Sequence, residues 1–238
     1  MKCEIFIHTN IQLFIAKGSK TFGSTLNFQL STKLDTYLTI SSVSEALYKD
    51  KGSKFYAFAY PVQTVEQIKE ILAEKRKEYY DARHVCYAYM LGYERNQFRA
   101  NDDGEPSGTA GRPILGQINS SNLTDILIIV VRYFGGTLLG TSGLIQAYKT
   151  SAAEAIAAAT IEERIVEKTF VSKFGYQDLN AVMRIMKDFD LAIVNQIQEM
   201  DCTLYFRIRL GDIERVRDRF DKLDFVSFEE EIIESEES

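Results

Sequence analysis

The sequence predicts an α+β protein built as two successive units, on three observations. Segments of strand-like and helix-like periodicity alternate along both halves of the chain. Asp125–Tyr133 is nearly all Ile, Leu and Val, the composition of a strand buried on both faces. Cys202–Leu210 instead alternates apolar and polar residues throughout, which places one face of that strand in a core and the other in water. At 238 residues the chain exceeds the usual single domain. The division is set at residues 35–165 and 166–238, with 1–34 as an extension.

In the first unit, Lys54–Tyr60 alternates as a strand and Pro61 ends it. Thr64 and Gln67 have the spacing of a capping box, and Val65, Ile68, Leu72 and Tyr79 mark one face of the helix behind it. His84–Leu91 and Gln97–Ala100 read as strands around a turn at Gly92, followed by a short helix near Thr109–Gln117. After the Asp125–Tyr133 strand, Ser142–Ala159 is the longest helix. Its inner face is read as Ile145, Tyr148, Ala152, Ile156 and Ala159. Glu162–Glu167 reads as a polar link. The second unit runs strand Thr169–Phe174, helix Gln177–Phe189 (Leu179, Val182, Met183 and Met186 inward), strands Ala192–Met200 and Cys202–Leu210, a helix capped by Asp212, and strand Phe225–Glu231. That βαββαβ order is the order of a ferredoxin-like sandwich.

Charge and composition narrow the function classes. The net charge of −6 argues against general coating of nucleic acid, and much of it lies in a glutamate-rich tail read as solvated. Cys3, Cys86 and Cys202 are widely spaced, which argues against a disulfide framework and a zinc site and suits a reducing, cytoplasmic setting. Cys86 and Cys202 are expected as buried small hydrophobes. No apolar run reaches the length of a membrane span. His8, Asn10 and Gln12 interrupt the one near the start, so a secretory signal is rejected, and residues 1–34 read as a poorly ordered extension or an upstream start-site artefact.

Two loops carry the chemistry. Asn101–Pro113 concentrates Asp102, Asp103, Glu105, Ser107, Gly108, Thr109 and Arg112 in one short run. A mere connection does not need that density of polar groups. The second, Tyr133–Gly143, joins a buried strand to a helix and contains Gly135, Gly136, Gly140 and Gly143. A helix N-terminus after such a turn offers free N–H groups to an anion, although neither a Walker A loop nor a GxGxxG is present. Tight strand–helix packing is the competing account of these glycines, at even weight. The three carboxylates can hold a hard cation such as Mg²⁺. The preferred reading is that they cap backbone N–H groups and pair with Arg83, Arg112 or Arg132. No metal and no cofactor is expected. His84, oriented by Asp102 or Asp103, can serve as a general base, but a structural or ligand-contacting role is preferred. Tyr133 can stack on a base, and Phe134 is read as packing inward. Tyr205, Arg207 and Arg209 fall on the wet face of the second sheet.

Three motifs in order, Asp81–His84, Asp102–Pro113 and Val130–Gly136 with Leu139–Leu144, resemble those of the YigZ/IMPACT family. Ser53–Lys54–Phe55 fits its entry strand, and Ser142 stands where glycine is common, as a good helix N-cap. The resemblance, from about Asp35 onward, implies a first unit like domain 2 of ribosomal protein S5 and a ferredoxin-like second unit. It also implies translation control, since eukaryotic relatives compete for a ribosome-associated activator of a starvation-sensing kinase. The expected function is therefore a non-catalytic, cytoplasmic, monomeric regulator. Its cleft would hold His84, Asp102, Asp103, Glu105, Ser107, Gly108, Thr109, Arg112, Arg132, Tyr133 and the loop glycines, and would bind RNA, a nucleotide phosphate or a ribosome-bound protein. Two alternatives stay open. One is a hydrolase-type enzyme using His84 and the carboxylates. The other is a protein-interaction module working through the second sheet.

Overall fold

The computed structural model describes residues 35–224 and 226–231. Eleven strands and five α-helices are described among them. The centre of the first half is a five-stranded antiparallel sheet, in the order β2 (Ser44–Asp50), β3 (Ser53–Pro61), β6 (Ile126–Tyr133), β4 (His84–Leu91), β5 (Gln97–Asn101). Alternate residues of its strands enter two different cores. Phe55, Ala57, Ile126, Ile128 and Val130 join Ile114 and Ile118 of α2 (Gly111–Ser120), and Ala147, Tyr148 and Ala152 of α3 (Gly140–Ala158). Phe58, Val85, Leu127, Ile129 and Val131 face Ile68 and Leu72 of α1 (Val65–Glu78). Helices on both faces explain why Ile126–Val131 of β6 has no polar alternation: each of these apolar side chains is removed from water, which stabilises by about 1.5–3 kcal/mol apiece. The buried alanines of α3 let that helix lie close against the sheet.

Several expectations change in detail. Thr64 Oγ1 accepts the Gln67 N–H at 3.2 Å, but Gln67 Oε1 takes the Gln63 N–H instead of closing a capping box. On α3 the inward residues are Leu144, Ala147, Tyr148, Ala152, Ala155 and Ile156, whereas Ile145 is exposed. Ser142 lies inside the first turn of α3 and is not its cap, because the helix already starts at Gly140. Glu162–Glu167 is no simple link. β7 (Ile161–Ile165) pairs antiparallel with β1 (Thr36–Ile40), and β8 (Glu167–Phe174) follows at once. The three consecutive charged residues of β7 lie between the exposed Ile161 and Ile165, and Thr36 donates its hydroxyl to Glu163 at 2.6 Å, so polarity there reflects an exposed ribbon. β1 and β2 have no counterpart in the sequence reading.

The second sheet is antiparallel in the order β11 (Glu229–Glu230), β8, β10 (Cys202–Arg209), β9 (Ala192–Gln198), with α4 (Leu179–Asp188) and α5 (Ile213–Phe220) contributing to its core. Phe170, Cys202, Leu204, Phe206 and Ile208 are buried with Val182, Ile185, Met186, Val216 and Phe220. Ile185 takes the inward place expected of Met183, which is exposed. Asp212 does not cap α5 with its side chain; its carboxylate accepts from Arg215 at 2.7 Å. The last strand is confined to Glu229–Glu230 among the described residues, and Glu230 pairs with Lys168 instead of standing free. Cys86 and Cys202 are buried and free. No helix among the described residues is long and apolar enough to cross a membrane. Residues 1–34, with Cys3 and His8, and Glu234, Glu236 and Glu237 lie outside the described residues.

Candidate functional site

The polar loop after β5 is held by its own carboxylates. Asp102 accepts the N–H groups of Gly108, Ala110 and Gly111 at 2.8–3.0 Å, which ties the loop to the start of α2. Burial tends to raise this carboxyl, but those three amides and the Arg112 charge prevail and hold it below the ordinary carboxylate range. Asp103 accepts the Val85 N–H at 2.6 Å and pairs bidentately with Arg76 of α1. It too lies below its ordinary value, the Arg76 and Val85 donors overcoming the opposing effect of burial. Arg76 had no place in the sequence reading, because nothing in the motif points to a helix a sheet-width away. Thr109 turns its hydroxyl to the Pro106 carbonyl at 2.6 Å, while Ser107 and Arg112 are exposed. Asp102, Asp103 and Thr109 therefore build the loop.

Glu105 is different. Its side chain is 3% exposed, and Oε1 accepts from Arg132 Nη1 at 2.6 Å and from the Tyr148 hydroxyl at 2.9 Å. No bond to its second oxygen is formed among the described residues. Arg132 comes from β6, and its guanidinium carbon lies 5.7 Å from the rings of both Phe55 and Phe134. Its Nε is buried and has no acceptor. His84, opposite Arg132 on β4, places Nδ1 2.8 Å from the Asp103 carbonyl oxygen and Nε2 3.9 Å from Glu105. A carbonyl only accepts, so Nδ1 carries the proton and Nε2 faces the carboxylate. The sulfur of Cys86 lies 3.0 Å from the Asp102 carbonyl, and burial pushes its thiol far up, away from thiolate chemistry. Burial, with Cys86 and Glu105 beside it, likewise keeps the Tyr148 hydroxyl protonated and donating.

The glycine loop closes the other wall. A Cβ on Gly135 would sit 1.9 Å from the Gly52 carbonyl carbon, so this glycine exists for the contact between two chain segments. Gly140, at φ +73, turns the chain into α3. That helix has no side-chain N-cap bond and no acidic residue in its first turn, leaving its leading N–H groups without side-chain partners. Tyr133 is drawn away from this wall: its hydroxyl donates to Asp81 at 2.6 Å and, mainly through that bond, is pushed up to about 12. Phe134 is 54% exposed, contrary to the inward placement expected of it.

Between the two loops lies a cavity of about 400 Å³. His84, Glu105, Arg132 and Gly140 line it together with Arg83, Pro106, Phe134, Leu138, Leu139, Thr141 and Leu144. Asp102, Asp103, Ser107, Gly108, Thr109, Arg112, Tyr133, Gly135, Gly136 and Gly143, expected around the same ligand, are not among its lining residues. The leucines were missed because the reading weighed only polar groups; the Leu138–Leu139 pair inside a glycine turn was the available signal. Among the described residues no cluster of three or more His, Cys, Asp or Glu is placed to hold a metal ion.

The cleft lies between two loops on a helix-covered antiparallel sheet, and comparison with known proteins places this arrangement in a family. The family model described as the Impact N-terminal domain matches residues 51–156, which include every residue lining the cleft. IMPACT family member YvyE of Bacillus subtilis is 33% identical over 155 residues, covering 65% of this chain and 71% of its own. IMPACT family member YigZ of Escherichia coli is 32% identical over 164 residues, covering 68% and 80%. A crystal structure described as that of a hypothetical protein superposes with a TM-score of 0.64 at 26% identity, covering 84% of this chain and 99% of that one. The chain belongs to the IMPACT family.

Proposed function

We propose that this protein is a non-catalytic regulator associated with translation, and that its cleft binds RNA, a nucleotide phosphate or a ribosome-bound protein. The observation that carries the reading is the cleft's composition: cationic Arg83 and Arg132, an uncapped helix N-terminus and an apolar wall, all within the segment the family model matches. Family membership supplies the translation context. The engagement of the three carboxylates and the protonated state of the thiol favour binding over chemistry. Glu105 is engaged by Arg132 and Tyr148, Asp102 and Asp103 are engaged by loop amides and Arg76, and the Cys86 thiol is held protonated.

On the same reading, residues 35–165 form a unit resembling domain 2 of ribosomal protein S5 and 166–238 a ferredoxin-like unit, supported by the β11-β8-β10-β9 strand order. The protein acts in the cytoplasm as a monomer without a cofactor. Co-sedimentation with ribosomes tests the function, beside an Arg83→Glu/Leu138→Asp variant that alters only exposed positions. Ribosome binding that disappears in the variant is the expected result. Equal sedimentation of both proteins, or of neither, overturns it.

A further inference from the structure

The cleft's charge balance says more about its occupant than its polarity does. Arg132 and Glu105 are 2.6 Å apart and cancel, and among the described residues Arg83 is in no ion pair. One uncompensated cation therefore remains, together with the positive end of a 19-residue helix whose first turn holds Gly140 and Thr141 on the cavity wall. Such a field suits a single negative charge better than the closely spaced phosphates of a nucleic-acid strand, which need many cations. Arg132 has donors to spare. Its side chain is 8% exposed, it lines the cavity, its Nε has no acceptor, and Nη1 alone is used, on Glu105. Apart from His84, whose Nδ1 is held by the Asp103 carbonyl, the rest of the lining is apolar: Pro106, Phe134, Leu138, Leu139 and Leu144. Leu138 is 83% exposed at the rim, a large apolar side chain left in water. A cavity of about 400 Å³ is too small for a folded surface and ample for one side chain with its backbone end.

We propose that the cleft captures the free C-terminal carboxylate of a partner protein chain, with that chain's apolar last side chain seated among Phe134, Leu138, Leu139 and Leu144. The carboxylate lies against Arg83, Arg132 and the leading N–H groups of α3, a backbone mode of carboxylate capture. The unbonded oxygen of Glu105 remains to accept an N–H from the peptide's last amide. The proposal rests on the cleft reading above and names its ligand as a protein terminus.

The test uses the full chain and fluorescein-labelled hexapeptides in fluorescence anisotropy. One ends in Leu as the free acid, one in Leu as the amide and one in Asp as the free acid; N-acetyl-leucine and hexauridylate serve as competitors. Expected is binding of the Leu acid at least tenfold tighter than of either other peptide, with weak competition by both competitors. Thr141→Glu places a carboxylate in the first turn of α3 and is expected to abolish peptide binding while thermal unfolding shows the fold intact. Equal binding of acid and amide, or no binding, overturns the proposal. N-acetyl-leucine matching the peptide overturns the chain-terminus assignment in favour of a small metabolite, and displacement by hexauridylate overturns it in favour of RNA. Cleft-dependent ribosome sedimentation without peptide binding would sink this proposal and leave the functional reading standing.

Discussion

The two loops that meet at the cleft have opposite designs. The Asn101–Pro113 loop carries the greater density of polar groups and spends most of them on holding its own position: Asp102 on three of its own amides, Asp103 on Arg76 and Val85 of neighbouring elements, Thr109 on Pro106. The Tyr133–Gly143 loop has few charges, yet it leaves Phe134 and Leu138 in solvent and an uncapped helix start beside them. A concentration of hydrogen-bonding residues thus marks the loop that is built to be rigid. Exposed apolar groups and unmatched N–H groups mark the loop free to meet a partner, because each leaves a favourable interaction unmade.

The contrast can be broken most severely at Gly135. Gly135→Ala forces a Cβ into the Gly52 backbone, and an expected loss of about 4 kcal/mol or more is read from the denaturant midpoint. A small loss there would mean that the second loop is not anchored by this contact. Next comes the buried ion pair. Glu105→Leu leaves Arg132 charged and unpaired in the interior, at about 3–5 kcal/mol, whereas Glu105→Leu with Arg132→Met recovers most of it. Equal losses in the single and double variants would show that the pair is not coupled. Asp102→Ala strips three amides of their acceptor, for an expected loss of about 3 kcal/mol with folding otherwise cooperative.

Acid provides the gentlest probe. Asp102 and Asp103 have folded-state values below their unfolded ones, so the stability they contribute is present above about pH 4 and is lost as pH falls through the depressed values. Asp103→Asn should flatten the acid limb of a circular-dichroism titration relative to the unaltered protein. An unchanged limb would assign acid sensitivity to other carboxylates.

Much of the fold was legible because its elements obey local rules. β4 and the long apolar β6 follow from hydrophobic runs, and β10 from strict alternation. The misplacements share a cause. β1 and β7 are short, β7 is charged, and both exist by pairing across more than a hundred residues, while Ile145 and Met183 differ from Leu144 and Ile185 only by which way the helix is turned. Local period locates a helix; the packing partner chooses its face.

For the cleft the same division holds. Sequence by itself determined the family motifs and the two loops, and it grouped His84, Glu105, Arg132 and Gly140, which line one cavity, since motif spacing survives without coordinates. Only the tertiary structure decided that Asp102 turns inward to its own loop's backbone, that Asp103 meets the Val85 amide and Arg76 of α1, and that Leu138, Leu139 and Leu144 make the wall. Those outcomes depend on desolvation and distance between strands remote in sequence. A carboxylate's role is set by which donor reaches it first, and that is a property of packing.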